Sequence, residues 1–170
     1  MKKSFILFAL LILLSTAAYC QTAKDYLKQG DDKYNSGDYK GAIEDYNKAI
    51  RIEPYHAEAY FKRGNANGAL ENYKEAINDF TRVIIINFKK NLDTPYYNRG
   101  IAKFKLQDYE GAIADFSKAI ENNPGYAAAY FSRGISKYLL NDKDGSCFDW
   151  NKAKELGNEK AYELMQKYCK

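Results

Sequence analysis

Four stretches of this 170-residue chain stand in register with one another, and that repetition restricts the fold more than any other feature. Tyr26, Gly30, Tyr39, Ala42, Ile43, Asp45, Tyr46, Ala49, Ile50 and Pro54 are matched by Tyr60, Gly64, Tyr73, Ala76, Ile77, Asp79, Phe80, Val83 and Ile84. The pattern returns as Tyr96, Gly100, Tyr109, Ala112, Ile113, Asp115, Phe116, Ala119, Ile120 and Pro124, then as Tyr130, Gly134, Cys147, Asp149, Trp150 and Ala153. The glycines are separated by 34, 36 and 34 residues. A fixed period of this size belongs to stacked units, none of which buries its apolar face alone. The long step falls at residues 87–92, where Phe88 replaces the expected Pro, and a lengthened helix or loop is expected there.

Each unit reads as two helices. Ala59, Tyr60, Gly64 and Ala66 share one helical face, and after Glu71-Asn72 the set Tyr73, Ala76, Ile77, Phe80, Val83, Ile84 keeps the helical spacing. Gly37-Asp38 and Glu71-Asn72 break the pattern between helices, and Pro54 and Pro124 stand between units. Gly30, Gly64, Gly100 and Gly134 are expected where the helices of a unit approach most closely, facing Ala42, Ala76, Ala112 and Ser146. Tyr46, Phe80, Phe116 and Trp150 would fill space beside them.

These residues resemble the signature of the tetratricopeptide repeat family: an aromatic, a small Gly, a Tyr, an Ala, an aromatic, an Ala and a Pro at matching offsets. The resemblance covers residues 23–158, and the fourth unit departs most, with Lys143 in the Tyr slot and Ser146 in the Ala slot. It implies an all-α, right-handed superhelical array of antiparallel helix pairs. The units would be 23–56, 57–92, 93–126 and the divergent 127–158. It also implies a concave groove, lined by the first helix of each pair, that binds other proteins as peptides.

An array leaves its last apolar face bare unless something covers it. Residues 159–170 can do so, because Ala161, Leu164, Met165 and Tyr168 fall on one helical face. Arg63, Arg99 and Arg133 each precede the packing Gly, and Lys167 lies 34 residues beyond Arg133. Pairing each Asp with the base of the next unit uses every charge, so inter-unit pairs Asp45–Arg63, Asp79–Arg99, Asp115–Arg133 and Asp149–Lys167 are expected. Their role would be to hold units in register.

The first twenty residues read as an address. Met1-Lys2-Lys3 is basic, Phe5 to Leu14 is apolar, and Ser15-Thr16-Ala17-Ala18 is small, the layout of a secretory signal peptide. The apolar run is about half of what a bilayer-spanning helix needs, so no integral span is expected after its removal. Cleavage after Cys20, cleavage after Ala17 and acylation of Cys20 as a lipoprotein all fit, with Tyr19 counting against the last. Export to the periplasm, outer envelope or medium follows. Cys147 and Cys169 then remain, and an even count in an exported chain favours a disulfide over two buried thiols.

The net charge of +4 falls to +2 once Lys2 and Lys3 are set aside, and its even spread gives no footprint for nucleic acid. The single histidine, His56, lies in an inter-unit loop, and no zinc spacing, nucleophile motif or phosphate loop occurs. A non-catalytic protein without metal or cofactor is expected. Asp31 and Asp32 read as a solvated helix face.

Recognition is expected on the first helices, at Leu27, Asp31 and Tyr34, at Phe61 and Asn65, at Tyr97, Ile101 and Phe104, and at Phe131, Ile135 and Tyr138. Asn65 can grip a peptide backbone through its amide, and Gly68 and Ala69 leave room for a pocket. Family members that clamp a C-terminal carboxylate carry Lys and Asn one turn apart; the matching pairs here are Leu27/Asp31 and Phe61/Asn65, so that clamp does not carry over. The expected function is an interaction scaffold that docks a peptide or protein partner in the groove. The alternative is an aromatic-lined glycan-binding module of the envelope, and self-association through the ends is a third reading.

Overall fold

A computed structural model describes residues 21–86 and 92–169. Residues 1–20, read from the sequence as a signal peptide, and most of the irregular joint, 87–91, lie outside the described residues. The chain forms α1 (Ala23–Asn35), α2 (Tyr39–Ile52), α3 (Ala57–Ala69), α4 (Tyr73–Ile86), α5 (Asp93–Lys105), α6 (Tyr109–Asn122), α7 (Ala127–Leu139), α8 (Lys143–Glu155) and α9 (Glu159–Tyr168). Consecutive helices pack together, and α1, α3, α5 and α7 also touch in succession. Among the described residues this is an all-α superhelical array of four helix pairs followed by α9. None of the described helices is long and apolar enough to cross a membrane.

Local chemistry sets the helix ends. Asp38, Asp108 and Asp142 cap α2, α6 and α8 by accepting from the Gly41, Gly111 and Gly145 amides. Thr22 and Asp25 form a reciprocal capping box on α1. The turns inside the pairs carry a left-handed residue, which is Gly37 in the first and Glu71, Gln107 and Asn141 in the others.

Packing inside each pair rests on glycine against a ring. A Cβ placed on Gly30, Gly64, Gly100 or Gly134 would come within 2.5–2.9 Å of Tyr46, Phe80, Phe116 or Trp150, respectively, closer than any real side chain sits. Ala42, Ala76, Ala112 and Ser146 are buried beside them. The substitution of Ser146 is absorbed locally, since its hydroxyl donates to the Lys143 carbonyl. Trp150 keeps its Nε1–H buried without a partner among the described residues, a defect that costs about 1–3 kcal/mol.

The charge ladder runs within pairs, contrary to the expected inter-unit order. Arg63 holds Asp79, Arg99 holds Asp115 at 2.6 Å and Arg133 holds Asp149 at 2.6 Å. Asp45 is held by Lys33 at 2.6 Å and Lys48 at 2.7 Å, not by Arg63. Asp149 takes Lys137 as its second base at 2.9 Å, while Lys167 lies exposed over the Tyr168 ring. The reason is a second partner one helical turn beyond the slot held by Gln29, Arg63, Arg99 and Arg133, a lysine in three pairs and an asparagine in the second. Lys33, Lys103 and Lys137, with Asn67 in the second pair, complete the carboxylates without any neighbouring unit. Register between pairs comes instead from the third guanidinium nitrogen. Arg63 reaches Asn47, Arg99 reaches Thr81 at 3.0 Å and Arg133 reaches Ser117 at 2.9 Å, each on the preceding pair.

α9 covers the last pair. Ala161 is fully buried against Trp150 and Ala153, with Leu164 and Met165 packed on the same cluster. Tyr168 stands where the earlier first helices carry glycine, and its ring lies on Tyr138 at 4.8 Å. Among the described residues no helix presses on that position from the far side, and a large residue fits. A disulfide joins Cys147 of α8 to Cys169 just beyond α9, with Cα atoms 5.7 Å apart.

Candidate functional site

The first helices present one continuous face. Asp31 and Tyr34 of α1, Phe61 and Asn65 of α3, Tyr97, Ile101 and Phe104 of α5, and Phe131, Ile135 and Tyr138 of α7 are all partly exposed along it. Leu27 is not part of it. Only 6% exposed, it belongs to the core of the first pair with Ala23, Ala42 and Tyr46. Phe61, Tyr97 and Phe131 hold the same slot in later pairs, where a longer ring reaches out of the seam that a leucine only fills.

The aromatic strip is anchored from below. Phe61 packs on Phe80, Tyr97 on Phe116 and Tyr126, Tyr34 on Tyr39, and Phe104 on Tyr109, with ring centroids 4.9–5.9 Å apart. Such pairs are favourable and fix ring orientation. The strip is therefore a preformed surface.

Two cavities open on this face. The first, about 480 Å³, lies between α1 and α3 and is lined by Asp31, Tyr34, Tyr46, Phe61, Lys62 and Asn65 among others. Here Asp31 stays partly solvated and is also bonded to its neighbours. It accepts from the Tyr46 hydroxyl at 3.0 Å and from Lys62 at 2.9 Å. Burial, with Asp31 alongside, pushes the Tyr46 phenol above its ordinary range. Burial pulls the Lys62 ammonium down, but Asp31 and Glu58 outweigh it, so Lys62 stays charged more firmly than a free lysine.

The second cavity, about 320 Å³, lies between α3 and α5. It is lined by Gly64, Gly68, Ala69, Tyr73, Ala76, Phe80, Ile101 and Ala102, by Tyr34 from α1, and by the polar Asn65, Asn98 and Lys105. The Asn98 amide nitrogen donates to the Asn65 amide oxygen at 3.0 Å. That bond leaves the Asn65 amide nitrogen free to donate and the Asn98 amide oxygen free to accept, the complement of a peptide bond.

Asn65, Ile101 and the space at Gly68 and Ala69 thus come together, while Phe131, Ile135 and Tyr138 lie farther along the face and line neither cavity. Lys62, Tyr73, Asn98 and Lys105 were not singled out from sequence. Asn98 had a signal, because it sits 33 residues after Asn65 and so lies beside it in the next pair.

Models of the tetratricopeptide repeat match residues 57–89 and 95–126, and a further TPR repeat model matches residues 30–68. No curated protein is significantly similar in sequence. Among solved structures, MamA superposes with a TM-score of 0.78 at 26% identity over 82% of this chain and 76% of its own. The first TPR domain of Spaghetti (RPAP3), bound to the HSP90 peptide SRMEEVD, gives 0.67 at 26% identity over 71% of this chain and 94% of its own. YrrB, described as a TPR protein with an unusual peptide-binding site, gives 0.71 at 23% identity over 79% of this chain and 69% of its own. With the helix pairs, the glycine-on-ring packing and three family matches in agreement, the chain belongs to the tetratricopeptide repeat family.

Proposed function

We propose that this protein is an exported, non-catalytic scaffold that docks a peptide segment of a partner protein along the face formed by α1, α3, α5 and α7. The observation that carries this reading is the Asn65–Asn98 amide pair. It lines the cavities on a strip of braced aromatic and aliphatic side chains, with the Asn65 amide nitrogen left to donate and the Asn98 amide oxygen left to accept. The peptide-bound relative of the same fold supports it. Export accords with the Cys147–Cys169 bridge, since disulfides persist in oxidising compartments.

The test is chemical cross-linking in the native envelope, followed by binding measurements with the captured protein. Asn65→Ala and Phe61→Ala are expected to weaken binding, and Lys74→Ala, exposed on α4, to leave it unchanged. Binding to cell-wall polysaccharide with no protein captured, or equal affinity for all three variants, would contradict the reading. Cell fractionation of the chain expressed with residues 1–20 tests export: recovery in the cytoplasm with reduced cysteines counts against it.

A further inference from the structure

We propose that the cavity beside Gly68 is a slot for an aromatic side chain borne by an acidic segment of the partner. This rests on the docking role proposed above and adds the residue class that the groove selects.

The twelfth residue of the first helix is Tyr34, Gly68, Phe104 and Tyr138 in the four pairs. Three of the four place a ring against an aromatic of the second helix: Tyr34 on Tyr39 at 5.1 Å, Phe104 on Tyr109 at 5.4 Å, and Tyr138 on Trp150 at 5.7 Å. In the second pair Tyr73 holds the place of Tyr39 and Tyr109, yet Gly68 offers it no ring. The cavity of about 320 Å³ occupies the space that the missing ring would fill.

Nothing in the fold requires glycine there. A Cβ on Gly68 would meet no atom within 4 Å. Gly68 lies inside α3, and the left-handed residue of the following turn is Glu71 at φ 60°. Glycine within a helix is disfavoured relative to alanine. A residue that packing does not need and the helix disfavours keeps the space open.

The slot also states what should fill it. Its lining is mostly apolar, Tyr34 reaches it from α1, and Tyr73 has no ring packed on it among the described residues, so an aromatic side chain is the complement. Lys105 is the only charged residue lining it and makes no ion pair among the described residues, so a carboxylate next to the ring is matched in charge. The Asn65 and Asn98 amides stand at the rim to take the backbone between them.

The purified protein is panned against phage-displayed random peptides of about a dozen residues, a length that spans a helix-lined groove. Enriched sequences are expected to share a Phe, Tyr or Trp beside Asp or Glu. Gly68→Phe supplies the ring internally and should weaken their binding at least about tenfold while raising the melting temperature. Lys105→Glu should weaken the same peptides without changing the melting temperature. Independently of any variant, 3-phenylpropionate should shift the NMR signals of Tyr73 and Lys105, and hexanoate should shift them less. Peptides that depend on Phe61 and Asn65, yet carry no common aromatic and bind Gly68→Phe normally, would refute the slot and leave the docking reading standing. Equal shifts with the two acids, or none at Tyr73, also refute the slot. No enrichment, or enrichment insensitive to every groove variant, would overturn both.

Discussion

Gly64 and Gly68 lie one turn apart in α3 with opposite surroundings. The first is pressed by Phe80, so that an added Cβ would come within 2.9 Å of its ring; the second faces open space. Gly64→Leu is therefore predicted to destabilise by about 1–3 kcal/mol or more through overpacking. Gly68→Ala is predicted to stabilise by about 0.5–1 kcal/mol, because the helix gains and nothing clashes. Urea unfolding of the two variants decides both, and equal effects would contradict the packing described. Asp45 makes a third residue-scale test. Burial pushes its carboxyl up, but Lys33 and Lys48 outweigh it, so it titrates below its ordinary 3.8. A carboxyl depressed in the folded state adds stability above its unfolded value and loses it as pH falls through the folded value. Asp45→Asn should flatten the loss of stability below about pH 4. An unchanged acid limb would show that the lysines contribute nothing.

At the scale of elements, α9 and its bridge form the part of the array held by the fewest neighbours. It packs on α8, buries one residue completely, Ala161, and is tied at its far end by Cys169. The bridge closes a span of 22 residues, which in the chain-entropy picture is worth about 3 kcal/mol. Reduction is predicted to lower stability by about that amount and to release amide protection in α9 before α1–α8, as read by hydrogen exchange with intact-mass spectrometry. Uniform loss across all helices would show the cap to be inseparable from the body. Helix identities and glycine contacts were legible in the sequence because they recur at a fixed offset. The partners of the aspartates were not. Asn67 interrupts the run Lys33, Lys103, Lys137, and that break hid the second base; without it, matching charges across units was the only complete assignment. Leu27 misled for a related reason: its slot reaches the surface only when a ring occupies it.

Over the whole molecule, stability is a sum of pair and neighbour terms, because among the described residues each helix pair packs chiefly on adjacent ones. The arginines belong to that account. Each grips an aspartate of its own pair and a neutral side chain of the preceding one, so removing a buried aspartate unbalances two pairs. Asp149→Ala is predicted to cost about 3 kcal/mol by leaving Arg133 and Lys137 without their counter-charge. A loss under about 0.5 kcal/mol, the size of an exposed pair, would contradict the buried ladder. The exposed face of the first helices followed from the repeat phase, and the cavity at Gly68 from the small side chains of Gly68 and Ala69. The Asn65–Asn98 pair and the Asp31–Lys62 bridge depend on side-chain reach across units, which periodicity does not encode. Recognition on this face is the central claim. Its most direct measurement is the affinity of one captured partner segment for the wild-type protein and for Asn65→Ala and Gly68→Phe. Both variants should bind at least about tenfold more weakly while remaining as stable as the parent or more so. Undiminished affinity in both would mean that the partner docks elsewhere.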